Sequence, residues 1–193
     1  WQCELSTVDR DFLFAGLLPW SFLSQTLGTT MQSLSQEADL IRRPRFSYWL
    51  LPVATEIALS TYFIATLALF VGYLGVEGEL NWKLLPAILL PVISLYMFIG
   101  AVACVLSLID VYNRDLRQVF NNILTVWFFL VPIVYQQQML SHRLLFLRSI
   151  DPLNLIVGEF RNILYDGDLP HPLHSVVVLL VSGGLLLLAT SLI

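Results

Sequence analysis

The residues able to do chemistry gather in a few places. Glu37 and Asp39 precede Arg42, Arg43 and Arg45 in one short stretch, and Asp110, Arg114, Asp115 and Arg117 crowd a second. His171 and His174 flank Pro172, with Asp166 and Asp168 just upstream. Two histidines and one of those aspartates are enough ligand types for a metal. The simpler reading is a pair of interfacial histidines where a helix begins, and no metal site is expected. The single lysine, Lys83, follows Trp82 rather than a glycine, so the Gly-Lys of a phosphate-binding loop is missing. Neither a G-x-S-x-G elbow nor an H-E-x-x-H pair occurs. With no nucleophile–base pair in view, an enzyme is disfavoured, and no cofactor is expected in this chain.

The elements that carry these residues are oily. Of 193 residues, 57% are apolar and 12% charged, against about 45–50% and about 25% in an ordinary soluble domain. Mean hydropathy is +0.76. These values exclude a water-soluble globule and a disordered chain. Ten Lys+Arg against fourteen Asp+Glu give a net charge of −4, which argues against nucleic-acid binding. Two cysteines, Cys3 and Cys104, make no disulfide framework. The expected class is an all-α polytopic membrane protein, a single transmembrane domain over residues 1–193.

A crossing helix needs about 20 mainly apolar residues. Leu50–Leu74, Leu84–Ile109 and Leu173–Ile193 meet that test. Phe12–Leu34 is half polar yet uncharged, and crosses if Ser24, Gln25, Thr26, Thr29, Thr30, Gln32 and Ser33 meet protein or water. Val119–Tyr135 is at the short limit, and brings the expectation to about five transmembrane helices. Residues 136–170 hold apolar pieces too short to span, Leu144–Ile150 and Leu153–Tyr165, separated by Asp151-Pro152. They read either as re-entrant helices or as amphipathic helices on the membrane surface.

The Arg-dense turns are expected in the cytoplasm by the positive-inside rule. The N-terminus is then outside and the C-terminus inside. Trp1–Asp11 lacks the features of a signal peptide, and the chain is expected to lack an earlier span. The first turn reads as a short helix, with Glu37 and Asp39 in its first turn and Arg42 and Arg43 in its last, matching the helix dipole. Pro44 disfavours helix at Arg43. Such a helix is either a peg for a soluble partner or a solvated elbow. Glu56 is the one formal charge well inside a span, so it must face protein or water, be protonated, or reach back toward Arg42 or Arg45.

Five stretches in order resemble the membrane subunit of type-2 ABC exporters, nearest the branch exporting O-antigen, teichoic acid and related polysaccharides. They are Leu17-Leu18-Pro19-Trp20-Ser21-Phe22; Ala38-Asp39-Leu40-Ile41-Arg42-Arg43, with Phe46 and Leu51-Pro52; Tyr112-Asn113-Arg114-Asp115-Leu116-Arg117; Trp127-Phe128-Phe129-Leu130-Val131-Pro132-Ile133-Val134-Tyr135; and Asp151-Pro152-Leu153-Asn154 followed by Glu159-Phe160-Arg161. Asp151 stands where the family usually has Asn, and Arg42-Arg43 where Lys-Lys is common.

The resemblance implies six spans, the first of them missing here, in a homodimer working with two cytoplasmic ABC ATPase subunits in the bacterial inner membrane. ATP and Mg would sit on those subunits. Residues 36–48 would form the coupling element, with Glu37, Asp39, Leu40, Ile41, Arg42 and Arg43 contacting the ATPase. Asn113, Arg114 and Asp115 would make a second contact. Residues 136–170 would form re-entrant outer gate helices carrying Pro132 at their approach and Asp151, Pro152, Glu159 and Arg161 within. Glu159 and Arg161 would pair across the dimer or face the outer solution. A lipid-linked glycan would pass hydroxyl and amide groups of Ser24, Gln25, Thr29 and Gln32 and aromatic faces of Trp127, Phe128, Phe129 and Tyr135. Lipid-facing or interfacial packing is the competing role for those aromatics, and helix–helix hydrogen bonding for the polar stripe. The competing functions are a type-2 exporter of drugs or lipids and an integral-membrane lipid-sugar transferase.

Overall fold

The computed structural model describes residues 7–36, 50–78, 80–112, 116–131, 133, 151–169 and 172–191. Among them every regular element is helical. We label the helices α1 (Thr7–Gln36), α2 (Leu50–Glu77), α3 (Leu89–Tyr112), α4 (Leu116–Leu130), α5 (Pro152–Arg161) and α6 (Pro172–Ser191). A 3₁₀ turn, Leu85–Ile88, leads into α3, and a π turn, Asn162–Asp166, follows α5.

Chemistry explains the choice of helix. In hydrocarbon a backbone must bond within its own segment, and the apolar runs of α2 and α3 do so. Leu50–Glu77 and Leu85–Leu106 are long and apolar enough to cross a membrane. The 28 residues of α2 reach about 42 Å, beyond the roughly 30 Å of hydrocarbon. Its lipid-like exterior is explicit: Ile57, Ile64, Leu69 and Val76 are all exposed. The α4 helix, expected to continue to Tyr135, ends at Leu130. Pro132 has no N–H to give the carbonyl of Phe128 and disfavours helix at Val131.

The bundle is organised around α1, which packs on α2 and α3 and lies along α5, with a lighter contact to α4. The most extensive seam joins α3 to α6. There α6 buries Ser175, Val178 and Ser182 on one face, small side chains that let two membrane helices approach. Ser182 Oγ donates to the Val178 carbonyl at 2.7 Å, so the buried hydroxyl has its acceptor one turn back. Leu23 and Leu27 of α1, Leu95 and Ile99 of α3, and Leu153, Ile156 and Phe160 of α5 form the sealed centre. Phe22 stacks on Phe63 with centroids 4.6 Å apart, locking α1 to α2.

Candidate functional site

Helix α1 sorts its polar groups by the 3.6-residue period. Thr26 and Thr30 turn inward and are buried. Ser21, Gln25 and Thr29, one turn apart from each other, are exposed, and Ser24 is half-exposed beside them. Across from them α2 presents Tyr62 and Thr66, also exposed. Ser21, Gln25, Tyr62 and Thr66 line a small cavity of about 70 Å³ between the helices. It shares Leu18, Ser21 and Thr66 with a larger groove of about 620 Å³ also lined by Phe14, Leu17, Leu69, Phe70 and Tyr73 and by Arg10 and Asp11. Polar at mid-helix and apolar toward Arg10, this face is amphipathic along its length.

Three hydroxyls of the face are already bonded as donors. Ser21 Oγ donates to Leu18 O at 2.9 Å, Ser24 Oγ to Ser21 O at 3.2 Å, and Thr66 Oγ1 to Tyr62 O at 2.8 Å. Each oxygen therefore keeps lone pairs for a visiting donor. Ser21 belongs to one of the stretches that carry the resemblance but is not among the expected route residues, and Tyr62 and Thr66 are not singled out from the sequence. The Tyr62/Thr66 spacing of one turn on a lipid-length helix was the signal that would have found the α2 pair.

The aromatic stretch of α4 divides. Trp127 and Phe128 are half-buried and pack on Trp20 of α1, at 6.3 and 5.5 Å between centroids. Phe129 is exposed. Tyr135, Pro132, the segment Glu37, Asp39, Leu40, Ile41, Arg42 and Arg43, and the turn Asn113, Arg114 and Asp115 lie outside the described residues. Gln32 is within α1, but its side chain is not among those described.

Around α5 the charged groups turn inward. Asp151 caps the helix: Leu153 N donates to Oδ1 at 3.1 Å, and Trp127 Nε1 donates to Oδ2 at 2.9 Å. Pro152 takes the first helical position, where a missing N–H costs nothing. Burial raises the Asp151 carboxyl above the usual 3.8, opposed by bonds from Trp127, Leu153 and Asn154. Glu159 and Arg161 are 1% and 3% exposed, so neither faces the outer solution in this chain. Both Glu159 oxygens lie 2.8 Å from Ser175 Oγ of α6. Arg161 donates from Nη2 to Ile133 O at 2.8 Å and lies 3.7 Å over the Phe12 ring.

Gly16 makes room for that guanidinium, since a Cβ there would sit 2.7 Å from Nη2. Beyond α5, Gly167 adopts φ 69° and Asp168 N reaches back to Asn162 O at 2.7 Å, which closes the turn. Burial and Asp168 raise the Asp166 carboxyl, and Arg161 partly offsets them. Among the described residues no three His, Cys, Asp or Glu gather as a metal would need.

The described helices, two of them long and apolar enough to cross a membrane, fit a helical membrane protein. No profile of a known protein family matches the chain. Individual relatives do. The chain is 30% identical over 185 residues to an O-antigen export system permease protein of Myxococcus xanthus, covering 93% of this chain and 70% of that relative. Two Klebsiella pneumoniae proteins of the same name are 23% and 22% identical over 169 residues, covering 86% of this chain and 64% of each relative. The chain belongs to the O-antigen export system permease family, membrane subunits of type-2 ABC exporters.

Proposed function

We propose that this chain is the membrane half of an ATP-driven exporter that carries a lipid-linked, O-antigen-like polysaccharide across the bacterial inner membrane. The observation that carries the reading is the exposed face of Ser21, Gln25, Thr29, Tyr62 and Thr66. Hydroxyls and an amide at mid-helix depth have no business against lipid tails, whereas they suit a hydroxyl-rich polymer in a hydrated passage. The apolar groove beside them suits the lipid anchor of the same substrate.

In this reading α1, α2, α3, α4 and α6 are the spans, and α5, about 15 Å long, is the re-entrant outer gate. Two copies enclose the passage. Val119, Ile123, Val126 and Leu130 form an exposed apolar stripe on α4, which is the face we assign to the second copy. Cytoplasmic ATPase subunits bind ATP and Mg and push on residues 36–48 and 113–115. That push shifts a two-state bundle between closed and open passages.

Gln25→Leu combined with Thr66→Val tests the passage. Export measured as surface glycan is expected to fall about tenfold, the effect of roughly 1.4 kcal/mol, while the complex still hydrolyses ATP. Normal export by the double variant rejects the route. Turnover of a lipid-linked sugar by the purified chain without an ATPase would favour a transferase instead, and undiminished lipid efflux without glycan export would favour a lipid exporter.

A further inference from the structure

Helix α5 is short, yet seven of its ten residues are buried, Glu159 and Arg161 among them. Its polar groups are dealt to different neighbours. Asp151, at its start, accepts from Trp127 of α4 at 2.9 Å. Glu159 meets Ser175 of α6, with 2.8 Å from Oγ to each carboxylate oxygen. Arg161, at its end, donates to Ile133 O at 2.8 Å and lies over the Phe12 ring of α1. Tyr165 of the π turn meets the same ring edge-on, with centroids 5.7 Å apart. Phe160 reaches α2, its ring 6.4 Å from that of Phe63 and nearly perpendicular to it. Helix α3 packs against α5 as well. All five other helices therefore touch this one.

A segment built to swing has few buried contacts, and α5 is the opposite. Pulling it outward would part Glu159 from Ser175, and Arg161 from Phe12 and Ile133 O, inside an apolar bundle. Stranding buried ionisable groups in this way is strongly unfavourable. Close-packed seams of this kind exchange whole arrangements rather than bend. We propose that α5 is the keystone of its subunit and stays fixed against α1. The passage then opens by displacement of one copy against the other, each carrying its α5 along in one rigid unit with α1 and α6. This rests on the transport reading for the two copies and the passage between them.

Spin labels at two exposed positions test it in the complete exporter in lipid, with Cys3 and Cys104 replaced by serine. Arg10→Cys lies near the start of α1 and Asp168→Cys just past α5. Each single-label variant reports one distance between the copies. Trapping the ATPase subunits with ATP and vanadate is expected to shift both distances together and in the same direction. A shift at one position without the other overturns the proposal, and so does no shift at either. Hydrogen exchange of the unlabelled exporter gives a second reading. Residues 152–161 are expected to stay as protected as Leu23–Leu27 of α1 in the nucleotide-free and trapped states, and protection lost from α5 alone on trapping overturns the proposal. Neither readout depends on the cargo. Paired shifts in an exporter that moves no glycan would reject the polysaccharide reading and keep the keystone.

Discussion

The indole N–H of Trp127 donates to the carboxylate of Asp151 at 2.9 Å, and the other oxygen of that carboxylate caps α5. One side chain therefore joins the end of α4 to the start of α5. Removing it in Asp151→Ala is expected to cost about 1 kcal/mol through the lost cap, read as a lower melting temperature.

The same residue sets a pH response. Its carboxyl is raised above 3.8 in the fold by burial. A raised value means that this group favours the fold most below the unfolded value, and that the contribution is lost as pH rises through the folded one. The melting temperature of the wild type relative to Asp151→Asn is expected to fall as pH rises through the acid range above 3.8. A difference that stays flat, or that rises, contradicts the assignment.

Gly16 and Arg161 form a second brace. A methyl group at position 16 would meet Nη2 at 2.7 Å, too close to keep the guanidinium on Phe12 and the Ile133 carbonyl. Gly16→Ala is expected to destabilise by about 1–3 kcal/mol, the usual cost of overpacking. Combining it with Arg161→Ala tests the cause: the two losses should add to less than their sum, because both remove one contact.

Ser175→Ala takes from Glu159 the hydroxyl that both its oxygens approach. A buried group losing a partner costs about 1–3 kcal/mol, so this substitution of an apparently small residue should lower the melting temperature more than Ser182→Ala. Ser182 bonds only its own helix carbonyl, and alanine there leaves no charge short of a donor.

Coupling is tested at residues outside those described. Asp39→Arg and Arg43→Glu are each expected to leave membrane insertion intact and to break the link between ATP hydrolysis and export. Assays of both activities in one vesicle preparation decide it, and normal export by both variants removes residues 36–48 from the coupling role.

The helices were legible where local chemistry is decisive. Apolar runs at Leu50–Leu74, interrupted only by the charge of Glu56, and at Leu84–Ile109 correspond to α2 and to the turn plus α3, because a lone segment in lipid satisfies its backbone as a helix. Asp151-Pro152 announced a helix start through cap and first-turn chemistry. What stayed hidden was every meeting between distant segments. Nothing near Gly16 in the chain announces Arg161, and nothing near Glu159 announces Ser175. Periodicity separates the inward Thr26 and Thr30 from the outward Gln25 and Thr29 only once the packing direction of α1 is known.

The back-bonded hydroxyls of Ser21, Ser24 and Thr66 give this face a chemical polarity of its own. With their protons committed at home, these three side chains offer a visitor acceptors rather than donors. The donors left on that wall are then Gln25 and Tyr62, which share the small cavity with Ser21 and Thr66.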